Sequence, residues 1–209
     1  MFTSLYGIFG SVAQIFSTFV FLFIIFGSFL EHAGAAKFFI DLPYALTGRT
    51  RGGPAKAAVL ASGLMGSISG SAVANVVTTG TFTIPLMKKT GYEPHTAAAI
   101  ETAASSGGQL LPPIMGAGAF IMAEFTGLPY WEIVAVSFFP ALLYFISVLF
   151  MVDLRAAKMG LKGLSKSELP SVKKTLKEGW QFLLPIVTIV GLLINGNSPS
   201  LAAFWAIIV

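Results

Sequence analysis

Residues 60–120 are apolar enough for a lipid bilayer, yet they are studded with groups that hydrocarbon rejects. Two clusters carry them. One is Gly66-Ser67-Ile68-Ser69-Gly70-Ser71, running on to Asn75; the other is Ser105-Ser106-Gly107-Gly108-Gln109 followed by Pro112-Pro113. In lipid, each backbone N–H and C=O needs a partner within its own segment, and every failure costs several kcal/mol. Glycine and proline clusters at membrane depth therefore mean interrupted helices that are buried in protein or line a polar cavity. Two interruptions in one module point to the substrate and ion site of a secondary transporter.

Composition supports the membrane reading. The chain has 209 residues, of which 55% are hydrophobic and 11% charged, whereas globular domains carry about 25% charged residues. Its mean hydropathy is +0.81. An all-α integral membrane protein, multi-pass in a lipid bilayer, is expected. Thirteen bases against nine acids would suggest nucleic acid in a soluble protein; here their positions report topology instead, and no nucleic-acid partner is expected. With no cysteine, disulfides and Cys-ligated metals are excluded. Met1 to Gly7 lacks the basic start of a signal peptide.

The pattern divides the chain as follows. Ile8 to Leu30 is an uncharged run of 23 residues, long enough to cross a core of roughly 30 Å and read as a scaffold helix over 8–30. Residues 36–50 mix apolar groups with Lys37, Asp41 and Pro43, which suits an arm lying in the interface. From Ala57 to Met87 no charge occurs for 31 residues. One spanning helix is possible, but it would place Lys88 and Lys89 on the face opposite Arg49, Arg51 and Lys56. A re-entrant hairpin over 54–89, with a non-helical tip at 68–75, keeps all five on one face. A broken helix over 94–126 follows, interrupted at Gly107-Gly108 and Pro112-Pro113. A second scaffold helix spans 129–152, and a basic loop occupies 153–178. Residues 179–209 start a further repeat, with a span beginning at Trp180, and the chain is expected to continue past Val209.

With residues 37–56, 88–89 and 153–177 on one side, all thirteen Lys and Arg share that side. By the positive-inside rule it is the cytoplasm. The domain boundary falls at 178, with one repeat before it.

The two clusters are rich in the oxygen ligands that hard cations favour. The tip supplies Ser67, Ser69, Ser71 and Asn75, with Thr78, Thr79 and Thr81 below; the break supplies Ser105, Ser106 and Gln109. Carbonyls freed at Gly70, Gly107 and Gly108 would add more. The plainer alternative has these hydroxyls bonding back to helix carbonyls and the glycines merely allowing close packing. Candidate substrate contacts are Thr78, Thr79, Gln109 and Pro112, since half-helix N-termini there would face an anionic group. Gly66-Ser67-Ile68-Ser69-Gly70 has the glycine spacing of a G-x-S-x-G nucleophile elbow, but Ile68 holds the place of the serine, and the elbow also needs a preceding strand and a histidine base, with only His32 and His95 in the sequence. No catalytic residue or enzyme activity is expected. Gly66 and Gly70 also match a helix-contact motif. Glu101 is the one carboxylate embedded in this module. It is read as structural, reaching the interface or pairing with a neighbour, with proton or ion handling as the alternative.

The motifs GGPAKAAVLASGLMGSISGSAVANVVTTGTFTIPLMKKTGY (52–92) and ETAASSGGQLLPPIMGAGAFIMAEFTG (101–127), behind FVFLFIIFGSFLEHAGAAKFFIDLPYALTGR (19–49), resemble the large membrane subunit of TRAP transporters. The resemblance is strongest to the fused small-plus-large permease of TAXI-type systems. It implies the first inverted repeat of an elevator-type fold (ion transporter superfamily), with a re-entrant hairpin and a broken transmembrane helix. It also implies a coupling Na⁺ as cofactor, held by Ser69, Gly70, Ser71 and Asn75 of the tip and by Ser105, Ser106, Gly107 and Gly108 of the break. Implied partners are a periplasmic TAXI-type solute-binding protein, small-subunit helices and the second repeat. Implied location is the cytoplasmic membrane of a bacterium or archaeon. The implied activity is sodium-driven import of a small organic anion, commonly a carboxylate. An ion channel whose re-entrant loop is a filter remains the alternative, as does a non-transporting membrane anchor.

Overall fold

The computed structural model of the chain describes residues 10–165 and 168–209, and every regular element among them is a helix. Ile8, Phe9 and Lys166 of the sequence expectations lie outside the described residues. The first rod joins α1 (Ser11–Ile15), a wide π-helical turn (Phe16–Val20) and α2 (Phe21–His32). α3 (Ala35–Thr47) follows after the left-handed Gly34 and carries Pro43 inside it. It buries Phe38 and Phe39, and Phe38 lies so close to Gly179 that any side chain there would collide with its ring.

α4 (Gly53–Ser69) is the centre of the molecule, and most of its residues are buried. Its small residues explain why: Gly63 admits the ring of Phe145, and Gly66 touches the backbone of Gly108. Without a hydrophobic drive between helices in lipid, such close approach is what holds them together. The chain then reverses within two residues. Gly70 adopts φ +62°, and the Ser71 side chain caps α5 (Ala72–Lys89) by accepting from the Ala74 N–H at 3.3 Å. Ser62 of α4 meets Thr79 of α5, so the two helices run antiparallel.

The tip is therefore Gly70-Ser71, narrower than the 68–75 expected. The serine cap lets α5 start at once, and the two arms of 17 and 18 residues are about 25 and 27 Å long. α6 (Pro94–Gly108) and α7 (Ala117–Thr126) flank a non-helical segment at 109–116. Gly107 and Gly108 thus close the last turn of α6 instead of breaking it. They are needed for contact: a side chain on Gly107 would strike Tyr144, and one on Gly108 would strike Gly66. The polar groups of 109–116 are met partly from outside and partly within the segment. Ile114 N–H donates to the Ser67 carbonyl at 3.3 Å, Gly116 N–H donates to the Gln109 carbonyl at 2.8 Å, and the Tyr130 hydroxyl donates to the Ile114 carbonyl.

α8 (Tyr130–Lys158) runs past the expected end at 152. α9 (Val172–Gly179), a 3₁₀ turn (Trp180–Phe182) and α10 (Leu183–Ile194) form one rod that starts eight residues before Trp180. Amphipathic residues after Pro170 extend the helix, so it begins at Val172, inside the connecting loop expected over 153–178. α11 (Pro199–Ile208) closes the described chain. Among the described residues, three helices are long and apolar enough to cross a membrane: Val12–His32, Tyr130–Lys158 and Val172–Ile194. Their outer faces expose large apolar side chains such as Phe21, Ile24, Val136, Phe139 and Val187, which suits lipid and not water.

The basic loops converge at one end. Arg51 and Lys56 both pair with Asp153, Lys56 at 2.6 Å. Glu93 meets His95 and Arg155, and Leu164 N–H donates to the Gly48 carbonyl at 2.9 Å.

Candidate functional site

The hairpin tip lies against the non-helical segment of the broken pair. A Cβ on Gly70 would sit 2.3 Å from the Met115 carbonyl oxygen, and one on Gly116 would sit 3.3 Å from that of Gly70. At Gly70 only glycine allows this approach, while at Gly116 a side chain would be a tight fit. A cleft of about 640 Å³ opens beside the junction, lined in part by Gly70, Ser71, Gln109, Gly116, Ala117 and Gly118. A smaller cleft of about 210 Å³ lies on its far side, between Ser69–Ser71 and the π-helical turn at Phe16 and Val20.

Two helices begin at the larger cleft. Ser71 is the N-cap of α5 and Gly116 the N-cap of α7. Free N–H groups and the positive end of the helix dipole gather at such termini. Of the expected substrate contacts, Gln109 lines this cleft. Thr78 instead donates to Glu31 at 2.9 Å, Thr79 is turned wholly into the bundle, and Pro112 stands outside the lining.

The expected ion ligands divide into groups. Ser69, Gly70 and Ser71 stay at the tip, with the Ser71 N–H at 3.5 Å from Ser69 Oγ. Asn75 and Ser105 meet inside the bundle, where Asn75 Nδ2 donates to Ser105 Oγ at 3.1 Å and to the Ser62 carbonyl at 2.8 Å. That carbonyl can only accept, which fixes the orientation of the amide. Asn75 Oδ1 is left buried without a partner. Ser106 points outward and bonds back to the Thr102 carbonyl at 2.9 Å. The carbonyls of Gly107 and Gly108, expected to be free, accept from Leu110 and Leu111.

Below Asn75 lies a group the sequence did not assemble. Glu101 is fully buried at 0% exposure; it does not reach the interface, and the neighbours it pairs with are hydroxyls. Its Oε1 accepts from Ser62 at 2.5 Å, from Thr79, and from Ser105 at 3.3 Å. Its Oε2 accepts from Thr83 at 2.5 Å. Helical spacing held a clue: Asn75, Thr79 and Thr83 fall at i, i+4 and i+8 on one face of α5, as do Glu101 and Ser105 on α6.

The geometry can be set beside known proteins. A family model described as "Tripartite ATP-independent periplasmic transporter, DctM component" matches residues 3–209. A putative TRAP transporter large permease protein of Haemophilus influenzae is 29% identical over 192 residues, covering 90% of this chain and 45% of that protein. The 2,3-diketo-L-gulonate TRAP transporter large permease protein YiaN of Escherichia coli is 27% identical over 193 residues, covering 90% and 45%. The C4-dicarboxylate TRAP transporter large permease protein DctM of Pseudomonas aeruginosa is 30% identical over 185 residues, covering 87% and 42%. The chain thus spans less than half the length of these relatives.

Proposed function

The chain belongs to the DctM component family of tripartite ATP-independent periplasmic transporters, and from that premise we propose that it forms the first of two inverted repeats of a sodium-coupled permease. The complete permease imports a small organic anion, a carboxylate, across the cytoplasmic membrane. A periplasmic solute-binding protein of the TAXI type delivers the anion, and small-subunit helices complete the assembly. In this reading α4 and α5 are a re-entrant hairpin, and α6 and α7 are the halves of a broken transmembrane helix. They move together as an elevator against α2, α3 and α8.

The observation that carries the reading is the cleft of about 640 Å³ onto which the N-termini of α5 and α7 both open. Two such termini favour a negatively charged group without a basic side chain. The Gln109 amide adds a neutral donor that can orient a carboxylate. For the coupling ion, the donor set fits a hard monovalent cation, because every candidate ligand is oxygen and Asn75 Oδ1 has no other partner. Ser69, Gly70 and Ser71 from the tip, with Asn75 and Ser105 behind them, would hold it. Bound there, the ion supplies positive charge beside the substrate and fixes the hairpin against the break.

The test uses the complete permease and its binding protein in proteoliposomes. Uptake of a C4-dicarboxylate is expected to saturate and to need an inward Na⁺ gradient. Non-saturating current that is indifferent to Na⁺ would overturn the reading in favour of a channel.

A further inference from the structure

On the face of α6 opposite Glu101, a furrow of about 470 Å³ runs between α6 and α8. Ala99 and Ala103 stand four residues apart on one face of α6, and their short side chains leave that wall hollow. Val148 and Met151 of α8 form the other wall. The furrow extends from Thr96 and Arg155 to Ala103 and Ser147, about 12 Å along each helix. Its Arg155 end lies with the converged basic loops. At the other end the helices close up: the Tyr144 hydroxyl donates to the Ala103 carbonyl at 2.8 Å, and the Tyr144 ring leaves no room for a side chain on Gly107.

We propose that this furrow binds an anionic phospholipid of the leaflet beside the basic loops, with one acyl chain lying along it and the headgroup phosphate on Arg155. The site goes beyond the transport reading and needs from it only that the chain lies in a membrane.

Three features support the assignment. The first is polarity. Below Thr96 the hydroxyl in the lining is that of Ser147, which is spent on the Leu143 carbonyl at 2.8 Å. The furrow is thus apolar along its length and polar at one end, the pattern of an amphiphile. The second is charge. Arg155 is held loosely, 3.5 Å from the Thr96 hydroxyl and 3.8 Å from a Glu93 carboxylate oxygen. A guanidinium has five N–H donors in a planar fork, so it keeps a pair for a phosphate, which it can meet bidentately. Lys158, exposed and one turn further along α8, adds a second positive charge. Glu93 opposes these two, while Asp153 is taken up by Arg51 and Lys56; the end stays positive, and such ends attract anionic headgroups. The third is length. A transmembrane helix packs along a bilayer core of roughly 30 Å, and the furrow offers less than half of that. A flexible acyl chain fits so short a groove better than a rigid helix does. Bound there, the lipid would tie α6 to α8 near the membrane surface.

The experiment uses the complete permease, purified and stripped of native lipid, with phosphatidylglycerol and phosphatidylethanolamine of identical acyl chains as probes. Binding is read by native mass spectrometry and by thermal unfolding. A phosphatidylglycerol with a photoreactive group in its acyl chain locates the site. The wild type is expected to prefer phosphatidylglycerol about tenfold and to carry the crosslinked lipid on peptides of α6 and α8. Arg155→Gln is expected to lose the preference. Ala99→Phe, at an exposed position, fills the furrow and is expected to lose the crosslink. Equal affinity for the two lipids in the wild type would overturn the proposal, as would crosslinks that fall only on other helices. So would glycerol phosphate raising the melting temperature as much as phosphatidylglycerol does, which would mark a site for free phosphate. A photoreactive label on Ala99→Cys that captures a protein helix in place of lipid would give the furrow to a neighbouring subunit or repeat, and would overturn it too. Should Arg155→Gln not fold, the wild-type preference and Ala99→Phe decide. The two readings fail separately: Na⁺-independent uptake leaves this site standing, and loss of the lipid preference leaves the transporter standing.

Discussion

Gly66 and Gly108 meet backbone to backbone where α4 crosses α6, with each Cβ position 2.6 Å from the other residue's Cα. A methyl group there cannot be relieved by a rotamer change, because the atom it meets is main chain. Gly66→Ala is expected to lower stability by about 1–3 kcal/mol, read as a fall in melting temperature in detergent. Gly118 on α7 meets nothing within 4 Å, so Gly118→Ala is expected to be neutral or to gain up to about 1 kcal/mol. Equal effects at the two sites would contradict the tight crossing. The same comparison shows where sequence reasoning ran short. A glycine pair beside prolines reads as a break, and 107–108 was read so. Whether a glycine bends its own helix or admits a neighbour depends on what crosses it, and that is set by residues 42 positions away. Glu101 was hidden for the same reason: its donors Ser62, Thr79 and Thr83 are 39, 22 and 18 residues distant in the chain.

The helical hairpin was the most legible element. A long uncharged run with bases at both ends leaves few alternatives, and α4 and α5 do fold back on each other. Its tip was less legible, because Ser71 serves as an N-cap and shortens the reversal to two residues. The two observed arms run antiparallel, which gives a topological prediction. Cysteines at Arg49 and Lys88, both exposed, are expected to react with an impermeant reagent from the same side of the membrane. One at Leu128, in the loop between α7 and α8, is expected to react from the opposite side. Labelling of positions 49 and 88 from opposite sides would mean that α4 and α5 form one span.

The molecule is built on two cores. One joins the first rod, α3, the end of α4, α7, the start of α8, α10 and α11 through residues such as Phe23, Phe39, Met65, Phe120, Ile189 and Ala203. The other joins α4, α5, α6 and the later part of α8 through Val59, Met87, Ala104, Phe145 and Val152. The halves of the broken pair thus belong to different cores, a division set by contacts between residues far apart in the chain. The outer faces of both cores are apolar, so the chain is expected to remain in the membrane pellet after alkaline carbonate extraction; release into the supernatant would contradict the membrane assignment. The closure around Glu101 has a kinetic meaning as well. Glu101, Ser62, Thr79 and Ser105 are all at 0% exposure, so the hydroxyl protons among them cannot exchange with water through standing walls. Exchange has to wait for helices to part, a motion of microseconds or slower, and it should show a steep temperature dependence. This buried polar group would then act as a timer, its hydroxyl protons exchanging at the pace at which α4 and α5 separate from α6.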